Sequence, residues 1–494
     1  MLAQDILRSA GAAPESLAEI GRRVSTTVID ARRTRGEHPR DVIDALCRLA
    51  SSNDATAEDA GSTLIFTHLV ERLSDAFEPD LADLYDAVFS QIIDNQRRRP
   101  EGRLLNEALD RFGLRNEEDV RSRRRRLRAS AIERVCASGI RTVIVFSRVT
   151  VGADVAVTSV IVGKLTQAYP DAGIVLVAPP RIGELFAGDS QIRILEAPYP
   201  RRGSLIGRLS TWVELLDAVQ KETASRTTDE ILFVDPDSRL TQLGLLPVTA
   251  LDAAYRIFES RSYGAGGNDC LGRLASRWAG DVFGNTSEDV WPYLRLSPSH
   301  LAAGRNCTAR LRRGSSRLVA VSFGVGGNPL KRSGQDFEAE LLLRLIGDGH
   351  TVVLDKGIES DLIANENVLA ALRAQGIRVL ETDEHRIGAP GAEGQVDILA
   401  WSGGVGLFGS LIASSDLYIG YDSAFQHIAA ALGVPVIAVV LGSPGPVFRR
   451  RWQPYSKNTV RVIPDDDRHG TAVPSRLADE TMAAVRDALA QGIR

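Results

Sequence analysis

The chain of 494 residues has few of the side chains that build metal centres and disulfide frameworks. Its four cysteines are Cys47, Cys136, Cys270 and Cys307, and no two of them have the spacing of a metal-ligand pair. Its seven histidines are scattered along the chain. The sequence therefore predicts no metal site, no cofactor and no disulfide framework, a pattern typical of proteins from a reducing cytoplasm.

Long apolar runs and a strong net charge are missing too. No run of about 18 apolar residues occurs, so we expect no membrane-spanning helix. The N-terminal sequence MLAQDILRSAGAAPESL lacks the apolar core of a signal peptide and contains an early acidic residue. The net charge of −4 gives no reason to expect nucleic acid or an anionic membrane as a partner. We expect a cytoplasmic protein.

Lysine is also scarce. The chain has 59 lysines and arginines, but lysine occupies only positions 164, 221, 331, 356 and 457. A lysine inside a glycine-rich loop is therefore less easily explained by background composition. The other proportions are ordinary, with 44% hydrophobic and 25% charged residues, and the length allows two or three globular domains.

Residues 1–135 have the pattern of a helical domain. The arginine-rich run 121–128 either binds an acidic partner or forms a solvated helix face, and the second interpretation is the simpler one. No catalytic constellation is evident here. We therefore expect an all-helical N-terminal extension whose role is open, binding of a partner included. Apolar residues recur at helical spacing behind Pro79, namely Leu81, Leu84, Tyr85, Val88, Phe89 and Ile92.

From residue 141 the pattern changes to strands that alternate with helices. Apolar runs such as TVIVFS (142–147) are separated by helical stretches, and the alternation restarts at LVAVSFG (318–324). Only the segment 255–315 is less regular. This alternation indicates parallel sheets with helices on both faces, an α/β fold. The prediction is two Rossmann-like, doubly wound domains at 140–310 and 316–475 that face each other across a cleft, with a C-terminal helix at 476–494.

Ligands of open parallel sheets bind beyond the carboxyl ends of the strands, so the loops at those ends are the candidates. The loop SFGVGGNPLKRSG (322–334) combines Gly324, Gly326 and Gly327, which let the backbone approach a ligand closely, with the cationic Lys331. A helix begins after the loop, and its first amides add to the positive field. A diphosphate suits this chemistry; the alternative is a flexible loop with solvent-facing bases.

A second candidate loop lies in YDSAFQHIAAALGVPVIAVVLGSP (421–444). Asp422 and Ser423 end a strand and begin a helix, where either side chain can accept a hydrogen bond from the first helical amides. His427 follows one turn into that helix. Taken alone, Asp422 is explained as a helix cap.

The C-terminal half resembles the heptosyltransferase-like glycosyltransferases of family 9. Their signature is an Asp, a Ser or Thr, usually a Gly, two variable residues and a His, followed by an AAxxxP segment and a strand that ends in glycine. The chain has DSAFQH at 422–427, then AAALGVP and VVLGSP, and departs from the signature at Ala424. The resemblance extends over about 140–490 and is strongest at 318–444, whereas the first 135 residues match nothing in it.

The resemblance implies the two-domain GT-B fold and a nucleotide-sugar donor site in the C-terminal domain. The diphosphate is expected against the glycine turn, Lys331 and the helix after Ser423. The nucleotide base is expected near Trp401 and Gly404. Asp422 and His427 belong to the same donor site by their place in the signature.

The resemblance also implies a general base in the N-terminal domain. The family has a Gly-Asp pair at the start of its first helix, and the aspartate takes the proton of the acceptor hydroxyl. The loop RVTVGADVAVTS (148–159) has Asp154 two residues after Gly152, so the register is shifted by one. Asp154 is the candidate base, because it is the only carboxylate of the loop. The alternative is a helix N-cap.

A further loop, FVDPDSRLTQLGLLP (233–247), is similar to the acceptor-side loop of the family. Asp237, Ser238 and Arg239 are the candidates for holding a sugar or a phosphate of the acceptor. The stretch from Asp235 to Asp237 also has the form of a DxD metal motif, but it lies in the half that is not expected to bind the donor.

These features predict a metal-independent, inverting glycosyltransferase that moves heptose or another sugar from a nucleotide-diphosphate donor to a glycan, protein or small-molecule acceptor. Two alternatives remain: another nucleotide-sugar enzyme on the GT-B fold, and a non-catalytic scaffold that binds a partner. The shifted register of Asp154 and the departure at Ala424 favour the scaffold. Lys331, Asp422 and His427 favour the enzyme. The sequence leaves the nucleotide, the sugar, the acceptor and the oligomeric state open.

Overall fold

The computed structural model describes residues 2–9, 11–135, 139–200, 203–284, 289–312, 314, 316–326, 328–387, 396–464 and 474–490. Within them the chain forms two β-sheets flanked by helices. The strands are β1 Thr142–Phe146, β2 Gly173–Ala178, β3 Ile192–Glu196, β4 Ile231–Asp235, β5 Tyr255–Ile257, β6 Leu318–Ser322, β7 Thr351–Asp355, β8 Val379–Asp383, β9 Ile398–Ser402, β10 Leu417–Tyr421, β11 Val436–Val440 and β12 Val460–Pro464.

The helices of the N-terminal part precede the first strand, and the others alternate with the strands. Two π-helical turns, Leu64–Val70 and Asp154–Thr158, interrupt them. The α-helices are α1 Leu2–Leu7, α2 Pro14–Arg35, α3 Arg40–Leu49, α4 Ala55–Thr63, α5 Glu71–Asp75, α6 Pro79–Arg97, α7 Arg103–Arg111, α8 Glu117–Ala129, α9 Val151–Ala153, α10 Ser159–Ala168, α11 Pro180–Gly183, α12 Leu205–Thr223, α13 Leu271–Phe283, α14 Pro298–Leu311, α15 Gln335–Gly347, α16 Glu359–Ala374, α17 Val405–Ala413, α18 Ala424–Ala431, α19 Pro446–Arg451 and α20 Pro474–Ala490.

The first sheet is parallel, in the order β3-β2-β1-β4-β5, and the N-terminal helices cover one of its faces. Successive side chains of a strand point to opposite faces. Ile144 and Phe146 of β1 accordingly pack in one core with residues of α1–α8 such as Phe89. Val143 and Val145 pack on the other face. The N-terminal helices are therefore a layer of this sheet and share its core.

The second sheet is also parallel, in the order β12-β11-β10-β6-β7-β9-β8. One face, which includes Val319 and Val321 of β6, packs against α15, α16 and α20. The other face, which includes Ala320, belongs to the core that also contains Val143 of the first sheet. This common core joins the two halves of the chain.

The predicted α/β class is confirmed, but the structure contains elements that the sequence pattern did not reveal. The segment 255–315 was expected to be irregular, and it contains α13 and α14. Three strands, β3, β5 and β12, were also missed. All three lie at sheet edges. β3 and β12 are only partly buried and therefore lack a long apolar run, whereas β5 is buried but has only three residues. Among the described residues, no helix is long and apolar enough to cross a membrane.

We predict that the two Rossmann-like halves will not fold without the N-terminal helices. A chain that begins at residue 139 exposes the sheet face containing Ile144, Phe146 and Phe233, and an exposed apolar face of this size promotes aggregation. The measurement is the soluble yield, together with binding of a hydrophobic dye, compared with the full chain. A monodisperse truncated protein with one cooperative unfolding transition would contradict the shared core.

Candidate active site

The structure brings the lysine of the glycine-rich loop to the start of α18. Lys331 ends a short helical turn after β6, and its Nζ lies 2.7 Å from Asp422 Oδ2. Strands β6 and β10 are neighbours in the sheet, so the loops that follow them meet at one edge. Ser423 is the residue before α18, and its side chain does not cap the helix. Lys331, Asp422 and Ser423 therefore converge on the first turn of α18, as expected.

The glycine-rich loop is open on its outer side. Gly326 has a φ of +62° in the left-handed region, and a side chain there would meet nothing within 4 Å. Gly324 is half-buried beside Ser322, and Gly327 lies outside the described residues. The neighbouring Arg332 does not extend the site, because it is bound to the side chains of Glu338 and Asn365. Lys331 is thus the cation that this loop directs to α18.

Trp401 does not offer its ring to a nucleotide. Its side chain is fully buried in the core between the two sheets, which corrects the expectation that it lies beside the base. The amides at the start of α17 already have partners in the chain itself. Gly404 N donates to Glu384 Oε1 at 2.5 Å, and Gly406 N donates to Glu184 Oε2 at 2.8 Å. A role of Gly404 in donor binding stays a prediction.

The two halves of the chain touch at the helix start that contains the signature. Gly152, from the loop after β1, packs so closely on α18 that a Cβ there would lie 3.2 Å from Ala424 Cα and 3.6 Å from His427 Cδ2. His427 is buried in this contact beside Trp452. Burial lowers the pKa of His427 to about 4, so the imidazole is neutral near pH 7. A side chain at 152 would require α18 to shift by a few tenths of an ångström.

Asp154 is enclosed in its own loop rather than presented to a ligand. Its Oδ1 accepts hydrogen bonds from Arg148 N and Thr158 Oγ1, both at 2.7 Å, and its Oδ2 accepts one from Ser147 Oγ at 2.6 Å. The side chain is fully buried, and burial raises its pKa to about 6 although the hydrogen bonds lower it. The adjacent Ala153 lines the cleft instead. This geometry argues against Asp154 as the general base, because no acceptor hydroxyl can reach it without rearrangement.

A cleft of about 670 Å³ lies between the N-terminal helices and the loops of the first sheet. No catalytic constellation was expected in residues 1–135, yet these helices form a whole wall of the cleft. Nothing in the sequence indicated that these helices line the cleft, because the residues of a helix do not show which end of it will pack beside the sheet. The lining side chains include Phe66, Asp75 and Phe77 from the helical wall, Arg148, Arg208, Arg239 and Arg261 from the first sheet's domain, and Trp452 from the C-terminal domain.

Two of the three predicted acceptor residues line this cleft. Asp237 is ion-paired with Arg261, and it accepts a hydrogen bond from Ser260 Oγ at 2.6 Å. Burial alone would raise the pKa of Asp237, but Arg261 and the neighbouring cations bring it down to about 2. Arg239 also lines the cleft. Ser238 does not, because it is fully buried and its Oγ donates to Ser147 O at 2.5 Å.

The cleft is rich in arginines that have no acidic partner. Among the described residues, no carboxylate lies within 4.0 Å of the guanidinium of Arg148, Arg208 or Arg239. Buried nitrogens of Arg148, Arg208 and Arg261 also have no hydrogen-bond partner in the structure. Buried donors of this kind are costly unless a ligand or water satisfies them. The cleft therefore suits a ligand rich in hydroxyl or anionic oxygens.

The DxD-like stretch is used for holding its own loop. Asp235 accepts hydrogen bonds from Ser238 N at 2.6 Å and Thr241 Oγ1 at 2.5 Å, and from the Tyr255 hydroxyl. Both carboxylate oxygens of Asp235 thus accept hydrogen bonds from within the chain. In the part of the chain that the structure describes, no group of three or more His, Cys, Asp or Glu side chains is arranged to hold a metal ion.

Comparisons with known proteins agree with this architecture. Residues 405–472 match the family model Glycosyltransferase family 9 (heptosyltransferase). A family 9 glycosyl transferase structure from Veillonella parvula is 13% identical, with a TM-score of 0.52 over 72% of this chain and 99% of that chain. ADP-heptose lps heptosyltransferase II from E. coli is 19% identical, with a TM-score of 0.48 over 70% and 99% of the two chains. A search of curated proteins found no match.

Two parallel, doubly wound sheets that share a core give the chain the GT-B fold. The Veillonella structure supports this fold. Within this fold, residues 405–472 are similar to glycosyltransferase family 9, the heptosyltransferase family.

We predict that Asp154 is needed for folding and not for proton transfer. Asp154→Ala leaves three buried donors without an acceptor, at a cost of about 1–3 kcal/mol each, and lowers the melting temperature. Asp154→Asn keeps an acceptor oxygen and the shape of the side chain, so turnover stays within about tenfold of the wild type, whereas loss of a general base costs about 10²–10⁴. A folded Asp154→Asn variant with normal donor binding and no turnover would return Asp154 to the mechanism.

Proposed function

We propose that the chain is an inverting, metal-independent glycosyltransferase whose donor diphosphate lies between Lys331 and the first turn of α18. The approach of Lys331 Nζ to 2.7 Å from Asp422 Oδ2, beside Ser423, is the observation on which the proposal rests. A cation and uncapped helical amides at one point are the chemistry that binds a diphosphate. The open face of the loop at Gly326 leaves room for it.

The same groups lower the barrier of the reaction. Negative charge develops on the diphosphate as the bond to the anomeric carbon breaks. Lys331 and the amides of α18 are already oriented toward that charge, and a preorganised donor of this kind contributes about 3 kcal/mol. This stabilisation takes the place that a divalent cation has in other transferases. Asp422 holds the lysine in position until the donor arrives.

The acceptor is proposed to lie in the arginine-rich cleft, on the other side of two aromatic rings. Lys331 Nζ lies 5.9 Å from the centroid of Phe448, and the guanidinium of Arg148 lies 5.8 Å from the centroid of Trp452. Inversion in a single displacement requires the acceptor hydroxyl to attack the anomeric carbon from the side opposite the diphosphate. Arg239 and its neighbours are proposed to hold oxygens of a glycan, protein or small-molecule acceptor.

We predict that Lys331→Ala will weaken donor binding. Loss of a charged hydrogen-bond donor costs about 1.5–3 kcal/mol, which corresponds to a rise of about 10- to 150-fold in the donor Kd. The measurement is a thermal-shift titration with ADP-, GDP-, UDP- and CDP-sugars, because a ligand of the folded state raises the apparent stability. Lys457→Ala is the matched control, since Lys457 is exposed and has the same charge. Equal donor affinities of the two variants would exclude Lys331 from the site.

Metal independence has a separate test. Both donor binding and turnover are expected to persist in excess EDTA and to gain nothing from added Mg²⁺ or Mn²⁺, because Lys331 and helical amides supply the positive charge. Product formation is followed before and after dialysis against the chelator. Activity that disappears on chelation and returns with a divalent cation would refute this part of the proposal.

A further inference from the structure

The helical wall of the cleft contains a carboxylate with no partner. Asp75 is the last residue of α5 and lines the cleft together with Arg148, Ala153 and Arg239. It is half-buried. Among the described residues, no hydrogen bond or ion pair engages its oxygens, and the groups that influence it act through charge and burial alone. Such a group is available to a ligand.

The carboxylates of the strand loops around the cleft and the donor site are already engaged. Asp154 is enclosed by three donors, and Asp237 is paired with Arg261. Asp422 is paired with Lys331 on the donor side. The residue that follows Gly152 at the cleft wall is Ala153, which cannot accept a proton. The loop after β1 therefore presents no base to the cleft, although an attacking hydroxyl must lose its proton.

Charged groups of both proposed substrate sites act on Asp75. Burial raises its pKa to about 7, and Glu71 on the same helix acts in the same direction. Arg239, Lys331 and Arg148 act in the opposite direction, and they come from the cleft wall, the donor loop and the loop after β1. The charge of Lys331 is thus felt at Asp75. A base is most effective when its pKa lies close to the working pH.

We propose that Asp75, supplied by the N-terminal helices, is the general base of the transfer. A carboxylate oxygen of Asp75 takes the proton of the acceptor hydroxyl. At the same time, the hydroxyl oxygen of the acceptor forms the new bond to the anomeric carbon. The bond from the anomeric carbon to the diphosphate breaks, and its electron pair leaves with the diphosphate. This inference rests on the proposed glycosyl transfer and assigns its missing base.

The first test separates binding from chemistry. The probe is the nucleotide sugar that gives the largest thermal shift with the wild type, and the readout is release of the nucleoside diphosphate with water as acceptor. Asp75→Asn is expected to keep the donor-induced shift and to lose at least about 100-fold in kcat. Asp75→Glu is expected to recover part of the rate. Asp80→Asn, an exposed acid at the start of α6, is the matched control and stays at the wild-type rate.

The second test needs no turnover. A carboxyl whose pKa is raised on folding keeps its proton in the native state, so the wild type loses stability as the pH rises from about 4 to about 7. Asp75→Asn lacks this titration. The melting temperature of the variant relative to the wild type is therefore expected to increase between pH 5 and pH 8, and the pH profile of kcat is expected to lose its rise near pH 7.

The outcomes are distinguishable from failure of the proposed function. If no nucleotide sugar binds the wild type, the transferase proposal fails and the role of Asp75 fails with it. If the wild type binds a donor but Asp75→Asn releases nucleoside diphosphate at the wild-type rate, only the role of Asp75 is overturned. A difference in melting temperature that does not change with pH also overturns it, because the carboxylate would then not titrate in the cleft.

Discussion

The structure depends on one constraint: a parallel sheet must be covered on both faces. In the first sheet, Val143 and Val145 face the core shared with the C-terminal half, and Ile144 and Phe146 need a separate cover. The N-terminal helices provide it. Because they extend to the edge where the strands end, the same packing that buries the sheet also brings the end of α5 to the cleft. The N-terminal helices therefore both cover the first sheet and form a wall of the cleft.

On the donor side, the chain satisfies its own charges before any ligand binds. Asp422 pairs with Lys331, and the amides at Gly404 and Gly406 donate to Glu384 and Glu184. These carboxylates occupy positions that anionic oxygens of a nucleotide would favour. A nucleotide that binds here must replace these internal charged hydrogen bonds with its own. Its binding free energy is therefore the difference between the two sets of hydrogen bonds.

The sequence was sufficient where a site is built from short motifs at the ends of adjacent strands. Lys331, Asp422 and Ser423 meet because β6 and β10 are paired, and the loops that follow parallel strands lie at the same edge of the sheet. It was insufficient for side-chain direction at a helix start, where Asp154 turns inward and Ala153 outward. It was equally insufficient for long-range packing: nothing local to Asp75 indicates that α5 ends at the cleft.

The position of the cleft links catalysis to the integrity of the helical layer. Arg208 stacks on Phe66, and Arg261 lies over Tyr85, so arginines of the first sheet's domain are held by rings from the N-terminal helices. Removing a ring would free an arginine that lines the cleft. The helical layer and the arginine-rich cleft are therefore coupled through these contacts.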